Sequence, residues 1–235
     1  PFYRDINARL IDLSEVAKQQ TIIDLGCGTG GITKLILDRL HSAREGLGDK
    51  VSAARGGLQD RVSSAREGLN DRVLTAREGL QERVQTARET VIYAVDHSGT
   101  ALRAAMADLG NRKEAAVRFV QSEVQQLQTA VRGQVDAIIY CNSIHYVPDK
   151  AELLAQLRMK LRPGGILAIN TSFFDGSHPP ESHHFYGRWM MRSLRILKRE
   201  YGLSPDKSQK VEARKQLTAD EYEALLNSNG FRVVQ

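Results

Sequence analysis

The chain alternates short apolar runs with longer segments in which apolar residues recur every three or four positions. Runs rich in Val, Ile and Leu are typical of buried parallel strands, and the longer spacing is typical of helices. The predicted strands cover residues 21–25, 90–96, 116–120, 134–141 and 161–169. The predicted helices cover 1–18, 98–109, 150–161 and 217–226. Thr218 and Glu221 are the predicted capping box of the last of these helices. This order predicts an α/β fold with a Rossmann-like, doubly wound and mostly parallel sheet.

A glycine-rich loop joins the first predicted strand to a helix. After Asp24, glycines occupy alternate positions at Gly26, Gly28 and Gly30, where the backbone can turn tightly and approach a ligand. The following helix places its positive end at this loop. The spacing of Gly26, Gly28 and Gly31 fits the dinucleotide fingerprint and a bound pyrophosphate. The carboxylate of Asp24 favours a cationic ligand instead.

The run from Thr21 to Gly31 resembles motif I of the class I S-adenosylmethionine-dependent methyltransferases, hhDhGxGxG. The resemblance implies that S-adenosylmethionine packs on this loop through its methionine part, with its amino end near Asp24. The cofactor contacts implied on this stretch are Asp24, Gly26, Cys27, Gly28 and Gly30. A glycine turn that binds no ligand is the alternative.

An 11-residue repeat fills most of residues 41–89. Four units begin with Ala-Arg at positions 43, 54, 65 and 76, and a fifth begins at 87. Eleven residues make about three helical turns, so the Ala, Leu and Val of each unit form a narrow stripe flanked by basic residues. This pattern fits a helix packed in a pair or an oligomer, a helix on a lipid surface, or a passive extension.

The repeat segment is predicted to fold back as a helical hairpin. Its two ends return to the same sheet, because the strand at 90–96 follows it directly. A straight helix through the 48 repeat residues, 42–89, would end about 70 Å away. The predicted turn is the Gly56-Gly57 pair.

Asp96 closes the second predicted strand, 72 residues after Asp24. Removing the 48 repeat residues leaves a spacing of 24, close to the roughly 20 residues between a nucleotide-binding loop and its ribose-binding acid. Asp96, followed by His97, is therefore predicted to accept hydrogen bonds from both ribose hydroxyls. This position also matches the second motif of the resembled family. A helix N-cap aspartate is the alternative.

The ends of the third and fourth strands supply the remaining predicted cofactor contacts. The resemblance implies that Ser122 and Glu123 read the adenine amino group, although the family more often has Asp there; a surface-loop Glu is the alternative. Cys141 and Asn142 end the fourth strand, at the sheet edge where ligands bind in α/β folds.

His145 is the leading candidate for a general base, because imidazole titrates near neutrality and can accept a proton from a hydroxyl nucleophile. A histidine satisfied by the backbone, or one that lines the cofactor passively, is the alternative.

The stretch from Leu161 to Leu167, Leu-Arg-Pro-Gly-Gly-Ile-Leu, adds a further resemblance to the methyltransferases. It favours that family over a dehydrogenase.

Residues 172–216 are too long for a simple crossover and are predicted to form a lid over the active site. Their aromatic and Met side chains suggest a pocket for a largely apolar substrate, or they pack the lid itself. The predicted substrate contacts are Tyr3, His145, Tyr146, Phe174, Tyr186 and Trp189. His178 is a second candidate to assist deprotonation. The lid histidines match no strong zinc pattern, so no metal is expected.

The net charge of +5 is concentrated in this predicted lid. From His178 to Gln216, nine Lys or Arg face four Asp or Glu. Such a surface is usually only solvated, but it also suits an anionic small-molecule substrate, an acidic carrier protein or an anionic membrane. Nucleic acid is not expected, because no recognition motif accompanies the charge.

The composition is that of one core domain with an elaboration. The chain has 235 residues, of which 41% are hydrophobic. It shows no membrane-spanning run and no signal-peptide pattern. Two distant cysteines form no disulfide framework, which favours the cytoplasm, with peripheral membrane attachment left open.

The predicted domains are a cofactor-binding core (1–40, 90–171 and 217–235), the repeat arm (41–89) and the lid (172–216). A sixth strand is predicted to begin at Phe231. The chain stops where the resembled family normally adds a seventh strand, so a trimmed chain or a truncated fold is expected.

The predicted function is methyl transfer from S-adenosylmethionine to a small, largely apolar metabolite that is anionic or carrier-tethered. O-methylation is favoured over C- or N-methylation because of His145 and the lid histidines. Two alternatives stay open: an NAD(P)-dependent oxidoreductase, and a non-catalytic scaffold that acts through the repeat arm, which also suits a homo-oligomer.

Overall fold

The computed structural model describes residues 2–62, 90–176, 179–204 and 216–234. The chain divides into two compact units. The first contains residues 1–141 and 155–170, and the second contains 142–154 and 171–235. Within the described residues, no helix combines the length and the apolar character needed to cross a bilayer.

The first unit is built on a five-stranded sheet in the order β3-β2-β1-β4-β5, with every neighbouring pair parallel. This confirms the predicted α/β fold. The order reverses between β1 and β4, and that is where open parallel sheets bind ligands. The strands are β1 (Thr21–Leu25), β2 (Val91–Asp96), β3 (Ala116–Gln121), β4 (Val135–Cys141) and β5 (Leu161–Asn170).

Helices cover the sheet because strands buried on both faces need apolar layers on each side. The main core packs Ile22, Ile92 and Ile139 of the sheet against Ile36 and Leu40 of a helix. Among the described residues, the helices of this unit are α1 (Phe2–Leu13), α2 (Gly31–Val62), α3 (Gly99–Leu109) and α4 (Leu127–Ala130). The residues of α5 (Lys150–Lys160) are divided between the two units.

The strand register sets the ligand-binding edge. Leu25 pairs with Val95 and with Tyr140, and Asp96 pairs with Gln121. The glycine loop after β1 therefore begins level with Asp96 and Cys141, and Ser122 follows one position beyond β3. The carboxyl ends of four strands thus bring the sequence-predicted cofactor contacts of this unit to one edge.

The predicted hairpin turn at Gly56-Gly57 is wrong. Helix α2 runs without interruption from Gly31 to Val62, through both glycines. Each helical Gly costs about 1 kcal/mol relative to Ala, but the Ala, Arg, Leu and Gln around the pair favour the helix and outweigh that cost. A 32-residue helix is about 48 Å long. The repeat residues 63–89 lie outside the described part of the chain.

The N-terminal helix is shorter than the predicted 1–18. It ends at Leu13, because Glu15 adopts a left-handed conformation with φ 47° that breaks the helix. A short 3-10 turn, Val16–Lys18, then leads into β1.

The second unit contains α6 (Pro180–Tyr201) and α7 (Ala219–Ser228). The predicted capping box of α7 is present: Thr218 Oγ1 accepts from the Glu221 N–H, and Glu221 accepts from the Thr218 N–H. The predicted sixth strand is wrong, since residues 231–234 form no strand. The Phe231 N–H donates to the Leu226 carbonyl, so the helix end uses a group that a strand would need for its ladder.

Candidate cofactor site

The glycine loop is anchored to the end of β2. The N–H groups of Gly26 and Cys27 both donate to the Val95 carbonyl, at 2.8 and 3.0 Å. Gly28 and Gly30 have φ values of 55° and 90°, in the left-handed region that glycine adopts at least cost. The loop is therefore a fixed backbone shape that depends on its glycines.

Gly28 and Gly30 face different surroundings. A Cβ on Gly30 would lie 2.7 Å from Leu109 Cδ1 and 3.2 Å from Ala105 Cβ, on helix α3. A Cβ on Gly28 would meet no atom within 4 Å. Gly30 is thus required for packing, and Gly28 borders open space in which a ligand can lie.

We expect Gly30→Ala to lower the free energy of unfolding by about 2–4 kcal/mol, because overpacking adds to backbone strain. Gly28→Ala is the matched control, with a similar positive φ but no clash, and should cost about 1–2 kcal/mol. Urea unfolding of both variants measures the difference. Equal losses would contradict the assigned packing role of Gly30.

Asp96 links the loop to the start of α3. Its Oδ2 accepts from the Gly28 N–H and its Oδ1 accepts from the Ser98 N–H, each at 2.8 Å. The N-cap of α3 is Ser98, whose Oγ accepts from the Ala101 N–H at 3.2 Å. The N-cap alternative for Asp96 is therefore wrong. His97 is exposed, and its Nδ1 lies 3.4 Å from Asp96 Oδ1.

Asp24 is buried beneath the loop, with 1% of its surface exposed. Thr33 on α2 donates a 2.6 Å hydrogen bond from Oγ1 to Asp24 Oδ2. Burial raises the pKa of Asp24 to about 7, against the opposing effect of the Thr33 hydrogen bond. Sequence reasoning missed Thr33; its available signal was a hydroxyl in the first turn of the helix after the loop.

Both cysteines predicted to touch the cofactor are buried free thiols. Burial raises the pKa of Cys141 to about 12 and also raises that of Cys27, so each stays protonated near neutrality. Cys27 packs against Ala94 and Leu102. The two side chains thus supply apolar surface near the loop, not nucleophiles.

The two residues predicted to read adenine differ in their surroundings. Ser122 is buried; its N–H donates to the Asp96 carbonyl at 3.0 Å, and its Oγ donates to the Glu123 carbonyl at 2.9 Å. Glu123 has an exposed side chain. The first unit therefore brings Ser122 next to Asp96, while the adenine contacts stay predictions.

The second unit holds the remaining polar candidates. Asn142 has a φ of 50°, and its Oδ1 accepts from the Ser172 N–H at 3.2 Å. His145 Nδ1 lies 3.1 Å from Thr171 Oγ1, and that oxygen also accepts from the Phe173 N–H at 3.1 Å. Sequence reasoning missed Thr171, which no motif marks.

Aromatic rings surround His145 within this unit. Its ring centroid lies 4.1 Å from that of Tyr146 and 4.4 Å from that of Phe173. Among the other predicted substrate contacts, Phe174 is half-buried, and Tyr186 and Trp189 are exposed on α6. The side chain of Tyr3 and all of His178 lie outside the described part.

Among the described residues, no His, Cys, Asp and Glu side chains form a group of three suited to a metal ion.

Sequence comparison relates this chain to methyltransferases. A family model described as a methyltransferase domain matches residues 75–167, which include β2 to β4 and most of β5 but not the glycine loop. Trans-aconitate 2-methyltransferase of Azoarcus sp. (strain BH72) is 28% identical over 167 residues, 71% of this chain and 43% of that protein. The enzyme of the same name from Deinococcus radiodurans is 32% identical over 80 residues, 34% of this chain and 28% of that protein. The chain spans less than half the length of these relatives.

Solved structures share the fold. The cyclopropane synthase MmaA2 from Mycobacterium tuberculosis has a TM-score of 0.54 at 12% identity, covering 98% of this chain and 61% of that chain. Human N-acetylserotonin methyltransferase in complex with S-adenosylmethionine has a TM-score of 0.51 at 14% identity, and the match covers 98% of this chain and 47% of that chain. The strand order, the glycine loop with its acidic partners and the comparisons agree: the chain has the Rossmann-like fold of the class I S-adenosylmethionine-dependent methyltransferases, and its sequence is similar to that of methyltransferases.

Proposed function

We propose that the chain binds S-adenosylmethionine at the glycine loop and transfers its methyl group to an oxygen of a small acceptor. The observation that carries the proposal is the contact between Asp96, at the end of β2, and the N–H of Gly28, in the loop after β1. This contact supports the proposal because it holds the carboxylate that we assign to the ribose beside a glycine backbone that a cofactor can approach.

The residues present fit the cofactor. A Cβ on Gly28 or on Gly31 would meet nothing within 4 Å, so the loop has open space at its outer side. A carboxylate has about four acceptor positions, and the described protein bonds to Asp96 use two N–H donors. Asp96 can therefore still accept from ribose hydroxyls.

Bound S-adenosylmethionine supplies an electrophilic methyl group on a positively charged sulfonium. The chain's own contribution is alignment and charge. Asp96 fixes the ribose, and the backbone of the glycine loop fixes the methionine part. The buried carboxylate of Asp24 is favoured in its ionised form by a cation above the loop, so binding and ionisation assist each other.

His145 is proposed as the base for a hydroxyl acceptor. Because Thr171 Oγ1 already accepts from the Phe173 N–H, its second acceptor position can receive a proton-bearing Nδ1 of His145. We assign this tautomer, which leaves Nε2 of the imidazole as the proton acceptor. The Tyr146 and Phe173 rings restrict the orientation of the imidazole.

The acceptor is proposed to be small, largely apolar, and either anionic or tethered to an acidic carrier protein. The rings of Tyr146 and Phe173, which lie against His145, support apolar contact with the acceptor. Trans-aconitate, in the name of both relatives, is a carboxylate acceptor to test. A carboxylate needs no base, since it is already ionised near neutrality.

A methyl-transfer assay on the purified chain tests this function, with one panel of carboxylates that includes trans-aconitate and one of aryl and alkyl hydroxyl compounds. We expect His145→Gln to lower kcat about 10²- to 10⁴-fold for a hydroxyl acceptor and to leave a carboxylate acceptor nearly unchanged. Thr171→Val should give a smaller loss with an altered pH profile. Equal effects of His145→Gln on both panels would contradict the assigned base.

A further inference from the structure

Helix α6 carries an exposed surface that the cofactor site does not use. Seven of its large apolar side chains are between 40% and 68% exposed. They are Phe185, Tyr186, Trp189, Met190, Met191, Leu197 and Tyr201. Single exposed apolar side chains are normal in soluble proteins, but several large ones on one side of a helix usually mark an interaction site.

Four of these seven apolar residues lie opposite the arginines of α6, whereas Phe185 lies on the arginine side of the helix. At 100° per residue, Tyr186, Met190, Leu197 and Tyr201 share one side of the helix. Four arginines share the side directly opposite: Arg188, Arg192, Arg195 and Arg199. Trp189 lies between the two stripes, at their boundary.

The helix is also basic as a whole. It contains five Lys or Arg and two Glu, a net charge of +3. Glu200 is paired with Arg199 at 2.6 Å, and both side chains are largely exposed. The 22 residues span about 33 Å, long enough for several lipid headgroups to lie along the helix.

From these features we infer that α6 is an interfacial helix that lies in the plane of an anionic lipid bilayer. Its apolar stripe enters the boundary between headgroups and acyl chains, and its arginines extend to lipid phosphates, which guanidinium groups bind in a bidentate manner. Trp189, at the boundary between the two stripes, would lie at the membrane–water interface, where Trp and Tyr are enriched in membrane proteins. The role goes beyond the proposed methyl transfer and does not depend on it.

The two-stripe pattern favours lipid over protein partners. An acidic carrier protein would pair with the arginines and leave the opposite apolar stripe exposed. A second copy of α6 would cover the apolar stripe but gain nothing from the arginines. A bilayer satisfies both stripes, because long basic side chains can reach the headgroups while the helix lies flat.

Trp189 makes the test direct, because it is the only Trp in the chain. The full chain is mixed with vesicles of phosphatidylcholine, with and without about 30 mol% phosphatidylglycerol, and followed by sedimentation and Trp emission. We expect binding to the anionic vesicles with a blue shift of the emission, and at least tenfold weaker binding at high salt.

Arg192→Gln with Arg195→Gln should weaken vesicle binding at least tenfold, since each basic residue near an anionic surface contributes measurably to binding. Arg132→Gln with Arg158→Gln removes the same charge from exposed positions outside α6 and should change binding less than threefold. Met190→Gln with Leu197→Gln should abolish the blue shift. Absence of vesicle binding, equal binding to pure phosphatidylcholine, or binding only to an acidic carrier or to a second copy would each overturn the inference.

Discussion

Replacing Asp24 with Asn is expected to raise the free energy of unfolding by up to about 4 kcal/mol at alkaline pH and to change it little near pH 4. Burial raises the pKa of Asp24 in the folded chain from 3.8 to about 7. Between these values the unfolded chain releases the proton while the folded chain keeps it, so wild-type stability falls as the pH rises from about 4 to about 7. Asn avoids that loss, and its Oδ1 can still accept from Thr33 Oγ1.

Urea unfolding of both proteins from pH 4 to pH 9 measures this effect. Asp108→Asn, at an exposed position of α3, is the matched control. The difference between its free energy of unfolding and that of wild type should stay nearly constant over this pH range. Adding S-adenosylmethionine should reduce the difference in the free energy of unfolding between Asp24→Asn and wild type, because the cationic ligand favours the ionised form of Asp24. A difference between Asp24→Asn and wild type that does not vary with pH would contradict the buried-acid assignment.

Asp96→Ala is expected to weaken S-adenosylhomocysteine binding at least 100-fold. Two ribose hydrogen bonds to a charged acceptor are lost, at about 1.5–3 kcal/mol each. The same carboxylate holds the Gly28 and Ser98 N–H groups, so thermal stability should fall as well.

Ser98→Ala separates the two effects of Asp96. It removes the N-cap of α3, at a cost of about 1 kcal/mol, without touching the proposed ribose contact. Affinity for S-adenosylhomocysteine should stay within a few-fold of wild type. If Asp96→Ala weakened binding no more than Ser98→Ala, Asp96 would act only as an anchor of the loop.

Several local features of the fold could be predicted from the sequence, because each depends only on residues that are close together in the chain. The strand before Asp24, the turn glycines and the capping box at Thr218 all rest on short-range geometry, and the structure has them in place. The spacing between Asp24 and Asp96 matches that of a nucleotide-binding unit only when the repeat residues 42–89 are left out of the count. Parallel register then brings these strand ends to one edge.

The features that sequence reasoning missed depend on competition between effects or on distant contacts. At Gly56-Gly57 the helix propensity of the surrounding repeat outweighs the tendency of two glycines to form a turn, and α2 continues through the pair. At Phe231 an apolar run resembled a strand, but its N–H completes the end of α7. Thr33 and Thr171 gain their roles only from three-dimensional neighbours, Asp24 and His145.

Calorimetric titration of the wild-type chain with S-adenosylhomocysteine, beside NAD and NADP, tests the central claim most directly. We predict one binding site per chain with micromolar affinity for S-adenosylhomocysteine and no measurable binding of either dinucleotide. Tighter binding of NAD or NADP would favour an oxidoreductase. No binding of any of the three, together with self-association of the chain, would contradict the cofactor site and favour a scaffold that acts through the repeat arm.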